Sequence, residues 1–195
     1  MSKQVTDILI VGVGGQGTLL TSRILADVAV QMDYDVKVSE IHGMAQRGGS
    51  VVTQVRFGKK VYSPIIKKGD ADILLAFEKL EAARWLDYLK PDGMVIINDE
   101  RVDPLPVMSG KVKYPLDIVD KIRDKVPNTR LINASEIASQ CGNSRAANVV
   151  LVGVLAAVAG LPAEEMESAI QRLVPAKAIE TNLQAFKEGM SIIPN

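Results

Sequence analysis

The sequence predicts an α/β fold: a Rossmann-like, doubly wound and mostly parallel sheet with an antiparallel edge hairpin and a helical C-terminal layer. Short apolar runs, which are typical of buried parallel strands, alternate with stretches of helical periodicity. A glycine-rich turn joins the first predicted strand to the first predicted helix, and the last third of the chain has helical periodicity. This order of elements is characteristic of doubly wound sheets.

The N-terminal segment predicts a βαβ unit. Residues 5–11 contain a nearly unbroken apolar run and are predicted as a buried strand. Apolar residues then recur at helical spacing over 18–31, and apolar and polar residues alternate over 35–40. The right-handed crossover rule makes these two strands parallel.

The next alternating segment, 51–57, is separated from Val61 and Tyr62 by a short Gly-Lys-Lys turn, which predicts a hairpin with those residues at an edge of the sheet. The remaining predicted strands are 72–77, 94–98 and 130–133, and the remaining predicted helices are 78–89, 116–125, 134–141, 144–160, 163–173 and 176–188.

Composition favours one globular domain over the whole chain, residues 1–195. The chain is 47% hydrophobic and 24% charged, and its 23 Lys and Arg residues equal its 23 Asp and Glu residues. Such a balance gives no global basic field, so nucleic acid is not the expected partner.

The single cysteine, Cys141, excludes an internal disulfide and cannot supply the thiolates of an iron–sulfur cluster. Its place near a predicted helix end indicates a packing role. The N-terminus does not have the pattern of a secretory signal, which predicts a cytoplasmic location. The most apolar segment, 149–161, is too short to span a bilayer and is predicted as a buried helix, so no membrane is expected.

A glycine loop, residues 12–17, is the strongest candidate binding motif. Its sequence, Gly-Val-Gly-Gly-Gln-Gly, has the G-x-G-x-x-G spacing and lies between a predicted strand and a predicted helix. Backbone N–H groups and a helix N-terminus in such a turn favour a phosphate. The predicted cofactor-binding residues here are Gly12, Gly14, Gly15, Gln16 and Gly17. The alternative is a tight strand-to-helix turn with no ligand.

A second candidate follows the second predicted strand, where open α/β sheets bind ligands. Arg47, Gly48 and Gly49 are predicted to offer a guanidinium and backbone donors to a phosphate or carboxylate. A solvated loop arginine is the alternative. His42, the only histidine, is a weak candidate for a general base because the sequence places no nucleophile or acidic partner for it, and a structural hydrogen bond is preferred.

Glu40 lies near the position of the acidic residue that contacts ribose in nicotinamide-binding folds, which leaves a self-sufficient NAD(P)-dependent oxidoreductase as one alternative function. A nucleotide-binding module without catalysis is the other. Asn143 or Ser144 is expected to cap the late buried helix. The chain has no HExxH, CxxC, Walker A or GxSxG motif, so no metal site is predicted and few residues are candidates for catalysis.

Taken in order, several motifs resemble the gamma-type subunits, or catalytic domain III, of 2-oxoacid:ferredoxin oxidoreductases. The resemblance is nearest to the small (beta) subunits of the indolepyruvate branch and covers nearly the whole chain. The motifs are the glycine loop, the segment 42–56, Ser63-Pro64-Ile65-Ile66 followed by residues 69–72, and the segment 148–155.

This resemblance implies a large partner subunit that carries thiamine diphosphate and iron–sulfur clusters and that passes electrons to ferredoxin. The pair would convert an arylpyruvate, coenzyme A and oxidised ferredoxin into an aryl-acyl-CoA, carbon dioxide and reduced ferredoxin. The chain alone would be inactive, since it has neither a thiamine-binding motif nor cluster cysteines. Its implied contribution is to close the active site over coenzyme A, with the glycine loop and Arg47 as contacts.

Overall fold

One six-stranded sheet forms the centre of the structure, a computed structural model that describes residues 5–41 and 48–193. In chain order its strands are β1 (Val5–Val13), β2 (Asp35–Ile41), β3 (Ser50–Gly58), β4 (Ala71–Ala76), β5 (Leu89–Asn98) and β6 (Thr129–Ile132). Their spatial order is β2-β3-β1-β4-β5-β6.

All strands except β3 run in the same direction. β1 pairs with β4, β4 with β5, and β5 with β6, each in parallel, whereas β3 is antiparallel to both of its neighbours, β1 and β2. The predicted fold class, including an antiparallel pair at the edge, is confirmed. β3 separates β1 from β2, so the two predicted parallel strands do not lie side by side.

The strands of the antiparallel edge pair are β2 and β3, so the hairpin predicted between 51–57 and Val61-Tyr62 is wrong. Val61 and Tyr62 belong to no strand, and the Val61 N–H donates to Asp35 Oδ2 at 3.0 Å. Tyr62 is 89% exposed. Most of β3 is buried, because β3 lies inside the sheet and uses both of its edges for pairing.

Helices cover both faces of the sheet. In chain order they are α1 (Thr18–Gln31), α2 (Lys79–Arg84), α3 (Leu105–Met108), α4 (Ile118–Lys125), α5 (Ala134–Gln140), α6 (Ala147–Ala159), α7 (Ala163–Leu173) and α8 (Ile179–Ser191). The larger core lies between one face of the sheet and α1 with α5 to α8, and the smaller core lies between the other face and α2 with α4. Within residues 5–41 and 48–193, no helix has the length and apolar character needed to cross a membrane.

The helix predicted at 78–89 ends early. α2 stops at Arg84, a 3-10 turn covers Leu86–Tyr88, and β5 begins at Leu89 rather than at residue 94. Leu89 pairs with Ala71 across an irregular register, and Lys90 Nζ lies 2.6 Å from Asp72 Oδ1. Pairing with β4 therefore extends the strand through a segment that contains turn-forming residues.

The C-terminal layer depends on a close crossing of α6 and α8. A Cβ atom built on Gly153 would lie 2.2 Å from the Phe186 carbonyl oxygen, and one built on Gly189 would lie 2.1 Å from the Val150 carbonyl oxygen. Because these obstacles are backbone atoms, no side-chain movement can relieve the clash. The two glycines let the helix backbones touch.

Gly153→Ala is therefore expected to lower the free energy of unfolding by about 3 kcal/mol, because the helices must separate to admit the methyl group. Gly160→Ala is the control: Gly160 has φ +64° at the end of α6, but its built Cβ meets no heavy atom within 4 Å. A loss of only about 1 kcal/mol is expected there. Chemical denaturation measures both, and equal losses would contradict the close crossing.

Candidate functional site

The candidate site lies at the edge of the sheet where the parallel strands end. Because β3 runs the opposite way, its first residue, Ser50, pairs with the last residue of β1, Val13. The start of β3 therefore lies beside the end of β1, which leads into the glycine loop. Ligands in open α/β sheets bind at this edge.

Two backbone hydrogen bonds join the two predicted loops. The Gly14 N–H donates to the Gly49 carbonyl at 2.9 Å, and the Gly48 N–H donates to the Gly14 carbonyl at 3.3 Å. Arg47 and His42 lie outside the described residues, so their predicted roles remain predictions. Gly48 and Gly49, the described residues just before β3, therefore lie against the glycine loop.

Within the glycine loop, the Gln16 side chain holds the turn in place. Its Oε1 accepts a hydrogen bond from the Val13 N–H at 2.7 Å, and its Nε2 donates to the Phe77 carbonyl at 3.1 Å. Phe77 directly follows β4, so Gln16 connects the ends of two neighbouring strands. This use of the amide defines a positioning role for Gln16, which was predicted as a cofactor-binding residue.

The start of α1 is open to an anion. Gly17 is the N-cap residue with φ +91°, no side chain caps the helix, and its first turn has no acidic residue. The first N–H groups of a helix have no intrahelical acceptor, and they carry the positive end of the helix dipole. Gly15 has φ +103°, and a Cβ there would meet nothing within 4 Å. The turn therefore has the features of a phosphate-binding loop.

A buried carboxyl group anchors the start of β3. Ser50 Oγ donates to Glu81 Oε2 at 2.5 Å, and Glu81, in α2, is only 4% exposed. Burial, the largest cause, raises the pKa of Glu81 above its ordinary value, while the Ser50 hydrogen bond acts in the opposite direction. The Ser50–Glu81 hydrogen bond therefore fixes the start of β3, and the Gly14–Gly49 hydrogen bond fixes the residue just before it.

Glu40 does not occupy the position that a nicotinamide site needs. Its Oε1 accepts a hydrogen bond from Ser22 Oγ of α1 at 2.9 Å. β3 also separates β2 from β1, whereas the ribose-binding acid of dinucleotide folds ends the strand next to β1. The NAD(P)-dependent alternative therefore lacks its expected geometry.

Two cavities flank the glycine loop. The smaller, about 220 Å³, lies between the start of α1, the end of β2 and the start of β3. Its lining includes Gly14, Gly17, Thr18 and Ile41. The larger, about 550 Å³, lies on the side of β4 and β5. Gly15 lines both cavities.

The sequence analysis did not identify two buried polar residues, Glu78 just after β4 and Asn98 at the end of β5. Glu78, 1% exposed, caps α2 by accepting from the Leu80 and Glu81 N–H groups, and Tyr114 Oη donates to it at 2.5 Å. Asn98, 2% exposed, donates to Glu100 Oε2 at 2.9 Å. Each closely follows or ends an apolar strand run, and that position at the carboxyl edge was the available signal.

Two other residues singled out in the sequence, Cys141 and Asn143, have structural roles. Cys141 is buried at the end of α5, and burial raises the pKa of its thiol, which agrees with packing rather than nucleophilic chemistry. Asn143 Oδ1 accepts from the Arg145 N–H at 3.0 Å and so caps the 3-10 turn Ser144–Ala146 before α6. In the described part of the chain, no cluster of His, Cys, Asp and Glu side chains could hold a metal ion.

The fold and the joined glycine loops define an α/β protein with a sheet edge suited to a phosphate, and sequence comparison identifies its family. The profile of the pyruvate ferredoxin/flavodoxin oxidoreductase family matches residues 7–192. The chain belongs to this family of oxidoreductases.

Similar proteins include separate subunits of the same length. The indolepyruvate oxidoreductase subunit IorB of Pyrococcus horikoshii is 40% identical over 94% of each chain. The subunit of the same name from Archaeoglobus fulgidus is 43% identical over 94% of this chain and 92% of its own. The gamma subunit of a keto/oxoacid ferredoxin oxidoreductase from Geobacter sulfurreducens has 26% identity and a TM-score of 0.73, with 97% of this chain and 96% of that chain covered.

The substitution Glu81→Gln tests whether burial raises the Glu81 pKa, through the pH dependence of stability. A raised pKa means that the folded chain holds the Glu81 proton more tightly than the unfolded chain, so stability falls as pH rises through the raised pKa. Glutamine does not titrate and still accepts from Ser50. The variant should therefore gain stability relative to the parent as pH rises above the ordinary glutamate pKa, about 4.3.

Denaturant unfolding at several pH values measures this difference. Glu188→Gln, which changes an exposed carboxylate in α8, is the matched control and should show no comparable trend. A constant difference between Glu81→Gln and the parent across the pH range would show that burial does not raise the Glu81 pKa.

Proposed function

We propose that this chain is the small subunit of a complex that catalyses ferredoxin-dependent oxidative decarboxylation of arylpyruvates, such as indolepyruvate, to aryl-acyl-CoA and carbon dioxide. The observation that carries the proposal is the similarity, over 94% of the chain, to subunits named for indolepyruvate oxidoreductase. The family match spans residues 7–192 and so includes the glycine loop.

The proposed division of labour follows from the side chains present. A large partner subunit supplies thiamine diphosphate, which activates the 2-oxoacid, and iron–sulfur clusters, which pass electrons to ferredoxin. This chain has one cysteine, which is buried, and its described residues contain no group of His, Cys, Asp and Glu side chains that could hold a metal ion. Its own task is to bind and orient a substrate at the shared cleft.

Coenzyme A is the proposed ligand of the glycine loop. The uncapped start of α1 and the open position at Gly15 suit a phosphate, and hydrogen bonds to Gly14 bring Gly48 and Gly49, which follow Arg47 in the sequence, to the same place. The smaller cavity extends this surface along Thr18 and Leu19. In this proposal the loop backbone and Arg47 hold the phosphates while the partner subunit holds the reacting end.

An exposed apolar segment supports a partner surface near the same edge. Leu105, Met108, Val112 and Leu116 are between 54% and 83% exposed, and they surround the short helix α3 after β5. Tyr114, in the same segment, reaches back to Glu78 at the end of β4. Large exposed apolar side chains favour a protein interface, and the proposed occupant is the large subunit.

We further propose that residues 1–195 form one gamma-type domain acting in the cytoplasm. Every described strand belongs to one sheet, and the two cores lie on its opposite faces. The alternatives, a self-sufficient NAD(P)-dependent enzyme and a nucleotide-binding module, have less support because Glu40 bonds to Ser22 and because relatives over the whole chain are oxidoreductase subunits.

Coexpression with a large thiamine- and cluster-bearing chain tests the assignment. A stable complex is expected, with reduction of ferredoxin or viologen that requires both an arylpyruvate and coenzyme A. The isolated chain should show no such activity. Absence of a complex, or turnover of a carbonyl substrate with NADH by this chain alone, would overturn the proposal.

Arg47→Ala tests the coenzyme A contact in the assembled complex. Loss of a charge-assisted hydrogen bond to a phosphate is expected to raise KM for coenzyme A by about 10-fold or more. KM for the arylpyruvate should stay within about twofold, because the substitution removes a contact to coenzyme A only. The control is Arg130→Ala, an exposed arginine on β6. An unchanged KM for coenzyme A removes Arg47 from the site.

A further inference from the structure

The loop between β3 and β4 lies at the end of the sheet where the parallel strands begin, opposite the glycine loop. Gly58, the last residue of β3, pairs with Val5, the first residue of β1, and β4 begins at Ala71. The loop contains Ser63-Pro64-Ile65-Ile66, one of the motifs on which the family resemblance rests. This motif has no part in the proposed coenzyme A contact. We call residues 61–66 the Tyr62 loop.

Buried residues anchor both ends of the Tyr62 loop. Val61 is 3% exposed, and its N–H donates to Asp35 Oδ2 at 3.0 Å. Ile66 is 1% exposed, and its N–H donates to Gln54 Oε1 at 2.6 Å. Each end is therefore held by packing and by a hydrogen bond to a strand residue, in β2 at one end and in β3 at the other.

The middle of the Tyr62 loop is held by one arginine. Arg56 Nη1 donates to the Ser63 carbonyl at 3.1 Å and to the Ile65 carbonyl at 2.9 Å. Arg56 Nε in turn donates to Asp7 Oδ1 at 2.7 Å, and Asp7 is only 5% exposed. The ion pair between β3 and β1 thus fixes the backbone from which the loop side chains project.

Between these anchors, the loop holds two large side chains in solvent. Tyr62 is 89% exposed and Ile65 is 49% exposed, and both line a cavity of about 370 Å³. A partner that binds a loop already hydrogen-bonded in place orders little further backbone, and tyrosine is a common centre of binding energy in protein interfaces. The Tyr62 loop therefore has the features of a protein-docking surface.

Four lysines flank the Tyr62 loop: Lys59, Lys60, Lys67 and Lys68. All four are exposed. No aspartate or glutamate lies between residues 59 and 68, although the whole chain has equal numbers of cationic and acidic side chains. Positive charge is therefore concentrated around Tyr62, which favours a partner with an acidic surface.

Nearby carboxylates offset only part of this charge. Lys60 Nζ lies 3.9 Å from Asp35 Oδ2, but Asp35 also pairs with a second lysine. Lys68 Nζ lies 3.4 Å from Asp87 Oδ2 in an exposed pair, and exposed pairs of this kind contribute little. Asp70 lines the cavity together with two lysines and an arginine. The surface around Tyr62 therefore keeps an excess of positive charge.

The Tyr62 loop differs in character from the exposed apolar segment around α3. That segment presents Leu105, Met108, Val112 and Leu116, which suits a permanent subunit contact. Two apolar side chains surrounded by lysines instead suit a small contact that electrostatic attraction steers and that forms and breaks repeatedly. In the proposed reaction, the protein that must arrive and leave in this way is the electron carrier.

We infer that the Tyr62 loop and its four flanking lysines form a docking surface for an acidic electron-carrier protein, with Tyr62 at the centre of the contact. The inference rests on the proposed function, in which the carrier is ferredoxin. The loop binds the carrier and takes no part in the redox chemistry, since electrons leave from the clusters of the large subunit.

The assembled complex, assayed with arylpyruvate and coenzyme A, tests this surface with two electron acceptors. One is a ferredoxin of net negative charge, and the other is methyl viologen, a small dye that needs no protein-docking surface. Tyr62→Ala is expected to raise KM for ferredoxin about tenfold, because it removes the central side chain of the contact. The rate with viologen should not change. Tyr62 is exposed, so the fold does not depend on its side chain.

The double substitution Lys59→Gln and Lys67→Gln tests the charge. It is expected to raise KM for ferredoxin about fivefold at low salt and to weaken the rise of KM with salt, because steering by charge is screened by ions. The matched control is Lys177→Gln with Lys187→Gln. These two lysines are exposed and belong to the C-terminal layer, on the other face of the sheet from the core that buries Ile66.

The outcomes separate this inference from the proposed function. A parent complex that does not reduce viologen overturns the proposed function, and the docking inference with it. Normal viologen reduction with an unchanged KM for ferredoxin in Tyr62→Ala and in the Lys59 and Lys67 double variant overturns only the docking inference. Failure of these variants to copurify with the large subunit also overturns it, because the loop would then belong to the subunit interface.

Discussion

The antiparallel pairing of β3 with β1 is the constraint on which the candidate site depends. Because β3 begins where β1 ends, the first residues of β3 and the preceding Gly48 and Gly49 lie at the edge that carries the glycine loop. The Gly14–Gly49 hydrogen bond then fixes the two segments against each other, and the buried Ser50–Glu81 contact holds β3 from the opposite side. The glycine loop and the Gly48-Gly49 pair thus form one surface. Neither has a side chain that could perform redox chemistry.

Local sequence signals predicted most of the elements and the glycine loop, because strand runs, helical periodicity and turn residues act over short distances. The helix at 18–31 and the glycine loop's place before it are clear examples. Strand partners were not predicted correctly: alternation at 51–57 indicates a strand but does not show which neighbours it pairs with. The helix at 78–89 was too long because pairing between Leu89 and Ala71 outweighed the local pattern.

The site was predicted only in part for the same reason. Gly14 and Gly49 are both in recognised motifs, but their contact depends on the position of β3 in the sheet. Asn148 had a local interpretation as part of a helix start, and only the tertiary structure places its amide beside Gly17. Glu78 and Asn98 belong to no spaced motif, so their roles at the strand ends follow from burial and hydrogen bonding.

In the proposed complex, the glycine loop and the start of β3 bind coenzyme A, and the redox groups belong to another subunit. Hydrogen–deuterium exchange of the assembled complex, with and without coenzyme A, tests this most directly because it reports backbone N–H groups at the loop. Slower exchange is expected at residues 12–20 and 48–51 when coenzyme A is bound. Slower exchange confined to the partner subunit, with these segments unchanged, would contradict it.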